Sequence, residues 1–239
     1  MHLTPQQLDE YRRDGVLQLG RVLEPSVVAE AIAHLEDLRR RNVMDSPTVE
    51  PDRKSYRLLN TCSHDPWFKT LVATPAILDY AESALGTGVQ HFQDNIFYKP
   101  ARDGSSTSWH QDNIWWKSNP PNMLTIWIAL DDVDLSNGAV QYIRGSHSHL
   151  IDPKLPFKDV NGKTYSVLAP EQVDQGKTVS FTVPAGHAVM HHCLTIHGAP
   201  PNRSDRTRRA YTIHLAQPGI LKLDPKASPI LRGPGAKPA

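Results

Sequence analysis

A chain of 239 residues with 26 Lys plus Arg against 25 Asp plus Glu, net charge +1, can bury one substantial core and presents no field for nucleic acid or an anionic membrane. The two cysteines, Cys62 and Cys193, form no metal or disulfide pattern, the first residues lack the features of a secretion signal, and no apolar run approaches the roughly 20 residues of a membrane helix. The expectation is one cytoplasmic domain, a monomer or homodimer, whose partners are small molecules and neither nucleic acid nor membrane.

Thr4-Pro5-Gln6-Gln7 predicts a helix start, with Thr4 as cap, Pro5 at the first helical position, where its missing N–H costs nothing, and Gln7 closing a capping box. Gly15 ends that helix. A second helix is predicted from near Pro25 to about Arg41, because Val28, Ala31, Ile32, Leu35 and Leu38 recur at helical spacing with charges between them. Residues 42–60 turn polar around Pro47 and Pro51 and read either as a loop able to cover a site or as an ordinary surface loop. Asp65-Pro66 and Thr74-Pro75 repeat the cap-then-proline signal, for a short helix around Trp67 to Val72 and another from Pro75 to Leu85 closed by Gly86.

The pattern then changes. Val89 to Lys99 is β-branched and aromatic, Met123 to Leu130 and Val140 to Ile143 are apolar, and Thr178 to Val183, Ala188 to His192 and Arg209 to Leu215 add three more predicted strands. Turns fall at Pro184-Ala185-Gly186 and Asn202-Arg203-Ser204-Asp205. Residues 144–176 show little periodicity and read as a long insertion, and the proline-rich tail after Leu223 reads as frayed. Helices first and short strands after argue for an α+β domain whose β part is a sandwich or barrel.

Trp109-His110-Gln111-Asp112 sets an imidazole and a carboxylate close together. With His197 delivered by the fold, two histidines and one carboxylate could take one face of an octahedral ion, the set expected for non-haem Fe(II). His-x-Asp alone is a weak signal, since such residues also meet by chance in surface loops. His191-His192-Cys193 resembles a zinc run, but neither histidine has a partner at metal-site spacing, and one of them is expected to point inward beside the site.

Several motifs together carry more. Trp109 to Asp112, Trp127-Ile128-Ala129-Leu130-Asp131-Asp132, Asn137 to His147, His197-Gly198 with Asn202-Arg203-Ser204, and Arg208-Arg209-Ala210 resemble, in order and spacing, the phytanoyl-CoA dioxygenase family of Fe(II)/2-oxoglutarate oxygenases. Asp14-Gly15-Val16-Leu17 is also similar, so the resemblance covers roughly residues 4–216. It implies a double-stranded β-helix, a cupin-like jelly roll, for the core over 87–216; with the predicted flanking N-terminal α-helices over 4–86 this makes a single domain of 1–223, followed by the flexible tail over 224–239.

The resemblance also implies His110, Asp112 and His197 as iron ligands, with 2-oxoglutarate and O2 converted to succinate and CO2 as a small-molecule metabolite is hydroxylated. Arg208 is the favoured anchor for the far carboxylate of 2-oxoglutarate, with Arg209 next in line; adjacent strand residues point to opposite faces, so only one can reach the site. Trp127 and Thr107 are further candidates for the cosubstrate pocket, and Trp127 reads equally well as core. Asn95, Lys99, Trp115 and Trp116 are candidates for the substrate pocket, each with a core or solvated alternative. A carboxylate at Asp112, where related halogenases carry a small residue, argues for a halide-free oxidation. Desaturation, cyclisation and epoxidation with the same cofactors stay open. So do a cupin-like metal isomerase and a non-catalytic binding jelly roll.

Overall fold

The computed structural model describes residues 1–43, 56–86, 88–103, 105–158, 164–220 and 228–236. In chain order the elements are α1 (Pro5–Asp14), β1 (Val16–Arg21), α2 (Pro25–Arg40), β2 (Tyr56–Leu59), α3 (Thr61–His64), α4 (Phe68–Val72), α5 (Pro75–Leu85) and β3 (Val89–Lys99). Then follow β4 (Thr107–His110), α6 (Asn113–Trp116), β5 (Met123–Ala129), β6 (Gln141–Ile143), β7 (Leu155–Lys158) and β8 (Thr164–Val167). β9 (Thr178–Ser180), β10 (His187–His192), β11 (His197–Ala199), β12 (Arg208–Ala216) and β13 (Ile230–Arg232) complete the chain.

Two antiparallel sheets form the double-stranded β-helix. The larger runs β1-β10-β5-β12-β3-β13, with β2 also on β3, and the smaller runs β4-β11-β6-β9. Every residue of β5 is buried, because the large sheet is covered on both faces. Leu124, Ile126 and Ile128 face the helices, in one cluster with Tyr11 of α1, Leu35 of α2, Phe68 of α4 and Ile77 of α5. Trp127 and Ala129 face inward and meet Tyr142 of the small sheet. β12 sorts in the same way, with Tyr211, Ile213 and Leu215 toward the helices and Ala210 toward the interior.

The capping box is present at Thr4 and Gln7, and Gly15 closes α1 in the left-handed region at φ 73°. A side chain at Gly15 would also meet His147 Nδ1 at 2.4 Å, so both conformation and space require glycine there. Among the described residues no helix is long and apolar enough to cross a membrane.

The N-terminal part is less purely helical than expected. β1 pairs with β10, and Tyr56–Leu59, expected as loop, pairs with β3; residues 44–55 of that expected loop lie outside the described residues. The expected insertion contains the β7–β8 hairpin. The expected frayed tail contributes β13, whose Ile230 and Arg232 pair with Gln90 and Val89 of β3. Arg232 is tethered to Asp79 and Glu82 of α5, which fixes β13 in place, while residues 224–227 and 237–239 of that expected tail lie outside the described residues.

Beneath the large sheet, buried Asp94 accepts hydrogen bonds from the Cys62 amide at 3.0 Å and the Tyr211 hydroxyl at 2.8 Å. Asp94→Ala orphans both donors. The expected cost is about 3 kcal/mol, lowering Tm by roughly 6–12 °C in thermal unfolding; a change within 1–2 °C would show that the donors find other partners.

Candidate metal centre

β4 and β11 are antiparallel neighbours with His110 and His197 in register, so strand pairing itself sets the two imidazole centroids 4.1 Å apart. Asp112 follows where the chain turns into α6, and its Oδ1 lies 3.7 Å from the Nε2 of each histidine. All three side chains are buried, with ligand atoms within 4.8 Å of one another, and no other such group occurs among the described residues.

His110 Nδ1 donates to the Ser108 carbonyl at 2.7 Å and His197 Nδ1 to the Thr195 carbonyl at 2.9 Å. Those bonds keep the proton on Nδ1 and leave the Nε2 lone pair for a metal. Burial, and then a neighbouring imidazole, pushes both rings down to about 4, so both are neutral at pH 7. For Asp112, burial opposes ionisation but is outweighed by His197 and His191, which hold its carboxyl far below the usual carboxylate range. Its Oδ2 accepts from Thr125 Oγ1 at 3.0 Å and from His191 Nε2 at 3.3 Å. The donor set is therefore two neutral nitrogens and one carboxylate, which suits Fe(II).

Arg208, 3% exposed, lies on the inward face of β12. Its Nη2 donates to the Gly138 carbonyl at 3.0 Å and its guanidinium sits 5.6 Å from the Trp127 ring centroid. Burial lowers it to about 10, which leaves it charged at neutral pH. Arg208 Nε and the Tyr142 hydroxyl are buried polar atoms without hydrogen-bond partners. Two unsatisfied donors beside a buried cation are a fitting cradle for a carboxylate. Trp127 and Tyr142 also line a narrow, mostly apolar cleft with Val140, Phe181 and Val189 among others.

One of the expected assignments needs correction. Arg209 faces the helices, where Asp131 holds it at 2.7 and 2.9 Å and Glu36 at 3.2 Å. Thr107 is exposed at the start of β4, where it pairs with Ala199 across a register irregularity that separates it from the His110–His197 pair. Lys99 lies opposite Arg208 across β3 and β12, and its ammonium donates to the carbonyls of Ser105 at 3.0 Å and Pro200 at 2.7 Å, tying two loops together.

Of the remaining substrate candidates, Trp115 is 42% exposed with its ring 5.0 Å from that of His110, so it stands at the mouth of the centre. Trp116 packs edge-on against Phe92 and His214. Asn95 is buried with its Nδ2 2.8 Å from His214 Nε2. Thr125, Tyr142 and His214 surround the centre and were not singled out from the sequence. Strand parity could have found two of them, since Thr125 is two residues from Trp127 and His214 six from Arg208.

A family model described as phytanoyl-CoA dioxygenase (PhyH) matches residues 11–210. L-proline trans-4-hydroxylase of Streptomyces griseoviridis is 30% identical over 218 residues, covering 83% of this chain and 81% of that protein. Ectoine dioxygenase of Bordetella bronchiseptica is 28% identical over 222 residues, covering 84% and 71%. The crystal structure of the epimerase SnoN in complex with Fe3+, alpha-ketoglutarate and nogalamycin RO superposes with a TM-score of 0.77 at 22% identity, covering 95% of this chain and 98% of that one, a likeness of fold.

His197→Ala should leave a folded protein that no longer retains Fe(II) through desalting; full retention would remove His197 from the centre. Buried His110, His197 and His214 and part-buried His192 all sit near 4 against an ordinary 6.5. As pH falls, the unfolded chain therefore takes up protons before the folded one, so stability is full above about pH 6.5 and is lost toward pH 4. Tm of the metal-free protein should drop steadily across that window, and a flat profile would mean that these rings charge without unfolding.

Proposed function

The chain belongs to the phytanoyl-CoA dioxygenase family, and from that premise we propose that it hydroxylates a C–H bond of a small metabolite in the cytoplasm. It is a non-haem dioxygenase dependent on Fe(II) and 2-oxoglutarate, with O2 as the second cosubstrate. The observation that carries the reading is a triad of two neutral imidazoles and one ionised carboxylate in the same interior as a buried, incompletely paired arginine.

His110, Asp112 and His197 would hold the iron. Arg208, backed by Trp127 and with the Tyr142 hydroxyl nearby, would hold the far carboxylate of 2-oxoglutarate. When bound, iron and cosubstrate together supply the oxidising power that breaks the C–H bond. The chain's own part is positioning and exclusion of water. Arg208 is itself buried with its guanidinium over Trp127, which limits solvent there and strengthens a charge-assisted pair. Trp115 supplies a flat wall over His110 against which a substrate can rest, and Trp116 and Asn95 lie deeper. Relatives named for L-proline and ectoine support a small polar metabolite as substrate. Asp112 in the carboxylate position favours hydroxylation over halogenation.

Anaerobic addition of Fe(II) and then 2-oxoglutarate should produce a visible metal-to-ligand charge-transfer band. Arg208→Ala should raise the 2-oxoglutarate concentration needed for that band by tens-fold or more, from the roughly 2–5 kcal/mol attached to one partner of a buried charge pair. Arg209→Ala should leave it unchanged. Iron binding without any band, or the reverse ranking of the two arginines, would sink the assignment.

A further inference from the structure

We propose that Asn95, His214 and Thr125 form a one-way hydrogen-bond chain that commits Asp112 to holding the metal through Oδ1 alone. This inference rests on the iron reading above and concerns residues to which that reading gives no task at the metal.

His214 of β12 and Thr125 of β5 are in register, with Nδ1 2.8 Å from Thr125 Oγ1. Thr125 Oγ1 is 3.0 Å from Asp112 Oδ2, and on the other side of the ring Asn95 Nδ2 is 2.8 Å from His214 Nε2. The direction of each link follows from a count of hydrogens. An ionised carboxylate only accepts, and a hydroxyl carries one hydrogen, so Thr125 donates to Asp112 and must accept from His214. His214 therefore bears its hydrogen on Nδ1 and offers the Nε2 lone pair, which the Asn95 amide meets with N–H. Every donor points toward Asp112. The orientation of Asn95 has a visible consequence, because its Oδ1 is turned from His214 and is left buried without a partner.

Asp112 Oδ2 thus holds hydrogen bonds from Thr125 and His191, while Oδ1 is the oxygen 3.7 Å from both ligand histidines. A carboxylate free to rotate can bind a divalent ion through both oxygens and occupy a fourth coordination position. Anchoring Oδ2 prevents this and keeps three of six positions open, the number that a two-point cosubstrate and dioxygen require. Thr125, His214 and Asn95 are each no more than 6% exposed, and Trp116 packs edge-on at 4.8 Å against the His214 ring, so water does not compete for the links. Asn95, Thr125 and His214 are positioning residues acting through Asp112.

The test uses the full chain with Co(II) alone as probe and thermal unfolding in parallel. Thr125→Val removes the hydroxyl at nearly constant shape, His214→Phe keeps a ring but removes both nitrogens, and Thr125→Ser returns the hydroxyl. Thr125→Val and His214→Phe are expected to bind Co(II) about tenfold to a hundredfold more weakly, the scale of losing a partner of a metal ligand. Their visible Co(II) bands should change intensity as the ligand count changes, and Thr125→Ser should restore both readouts. Wild-type affinity and spectrum in folded Thr125→Val and His214→Phe overturn the chain. A lowered Tm with an unchanged spectrum also overturns it, since packing alone would do that. If Thr125→Val does not fold, His214→Phe and Asn95→Leu decide by the same criteria. Absence of a charge-transfer band with 2-oxoglutarate in the wild type would sink the activity reading, whereas the Co(II) comparison still decides the chain.

Discussion

The large sheet is buried on both faces, and the two-residue period of its strands sorts every neighbouring pair of side chains between two different environments. Arg208 and Arg209 are adjacent and chemically identical, yet one lies inside the jelly roll against Trp127 and the other pairs with Asp131 and Glu36 beneath the helices. His214 and Ile213, or Thr125 and Ile126, divide in the same way. The helices are therefore part of the chemistry in an indirect sense. By taking the apolar residues of each strand on one side, they free the other side to carry polar groups at fixed spacing.

What those polar groups share is a buried setting in which charge is scarce. The imidazoles of His110, His197 and His214, held near 4, are neutral, so around the centre Asp112 is a carboxylate among neutral donors, with the Arg208 cation farther along the interior. Neutral imidazole is the form that binds a metal, and a lone carboxylate among neutral donors is a strong attractor for a divalent cation. At the other end, a guanidinium with an unsatisfied Nε beside an unsatisfied phenol attracts an anion. The interior is thus polarised along its length before any ligand enters, which sets the order of the groups a bound cosubstrate would bridge.

Much of this was legible in the sequence where a residue type has one physical use. The capping box at Thr4, the proline-led helices at Pro25 and Pro75, and the long apolar strands all appear within a residue or two of expectation. Ordered motifs around His110, Asp112 and His197 pointed to side chains that the fold does bring together. Legibility failed where tertiary pairing outweighs local propensity. His197-Gly198-Ala199 has no strand signature and becomes β11 because β4 and β6 flank it. Thr107 and Lys99 carry no local signal for their surroundings: Thr107 is exposed at the start of β4, and the Lys99 ammonium is held by loop carbonyls of Ser105 and Pro200. His214 has no local motif at all; only its register opposite Thr125 gives it a partner.

β3 lies next to β12 on one side, and its other side is closed in two sections. β2 covers Asn95 to Tyr98, and β13, from near the opposite end of the chain, covers Val89 and Gln90. A long strand rich in Phe, Tyr and Ile with an open row of N–H and C=O groups is a template for edge-to-edge association with another copy. Ile230 and Arg232 therefore cap the start of β3: a protein shortened before Ile230 would expose that start as an adhesive edge while leaving the metal-binding side chains in place.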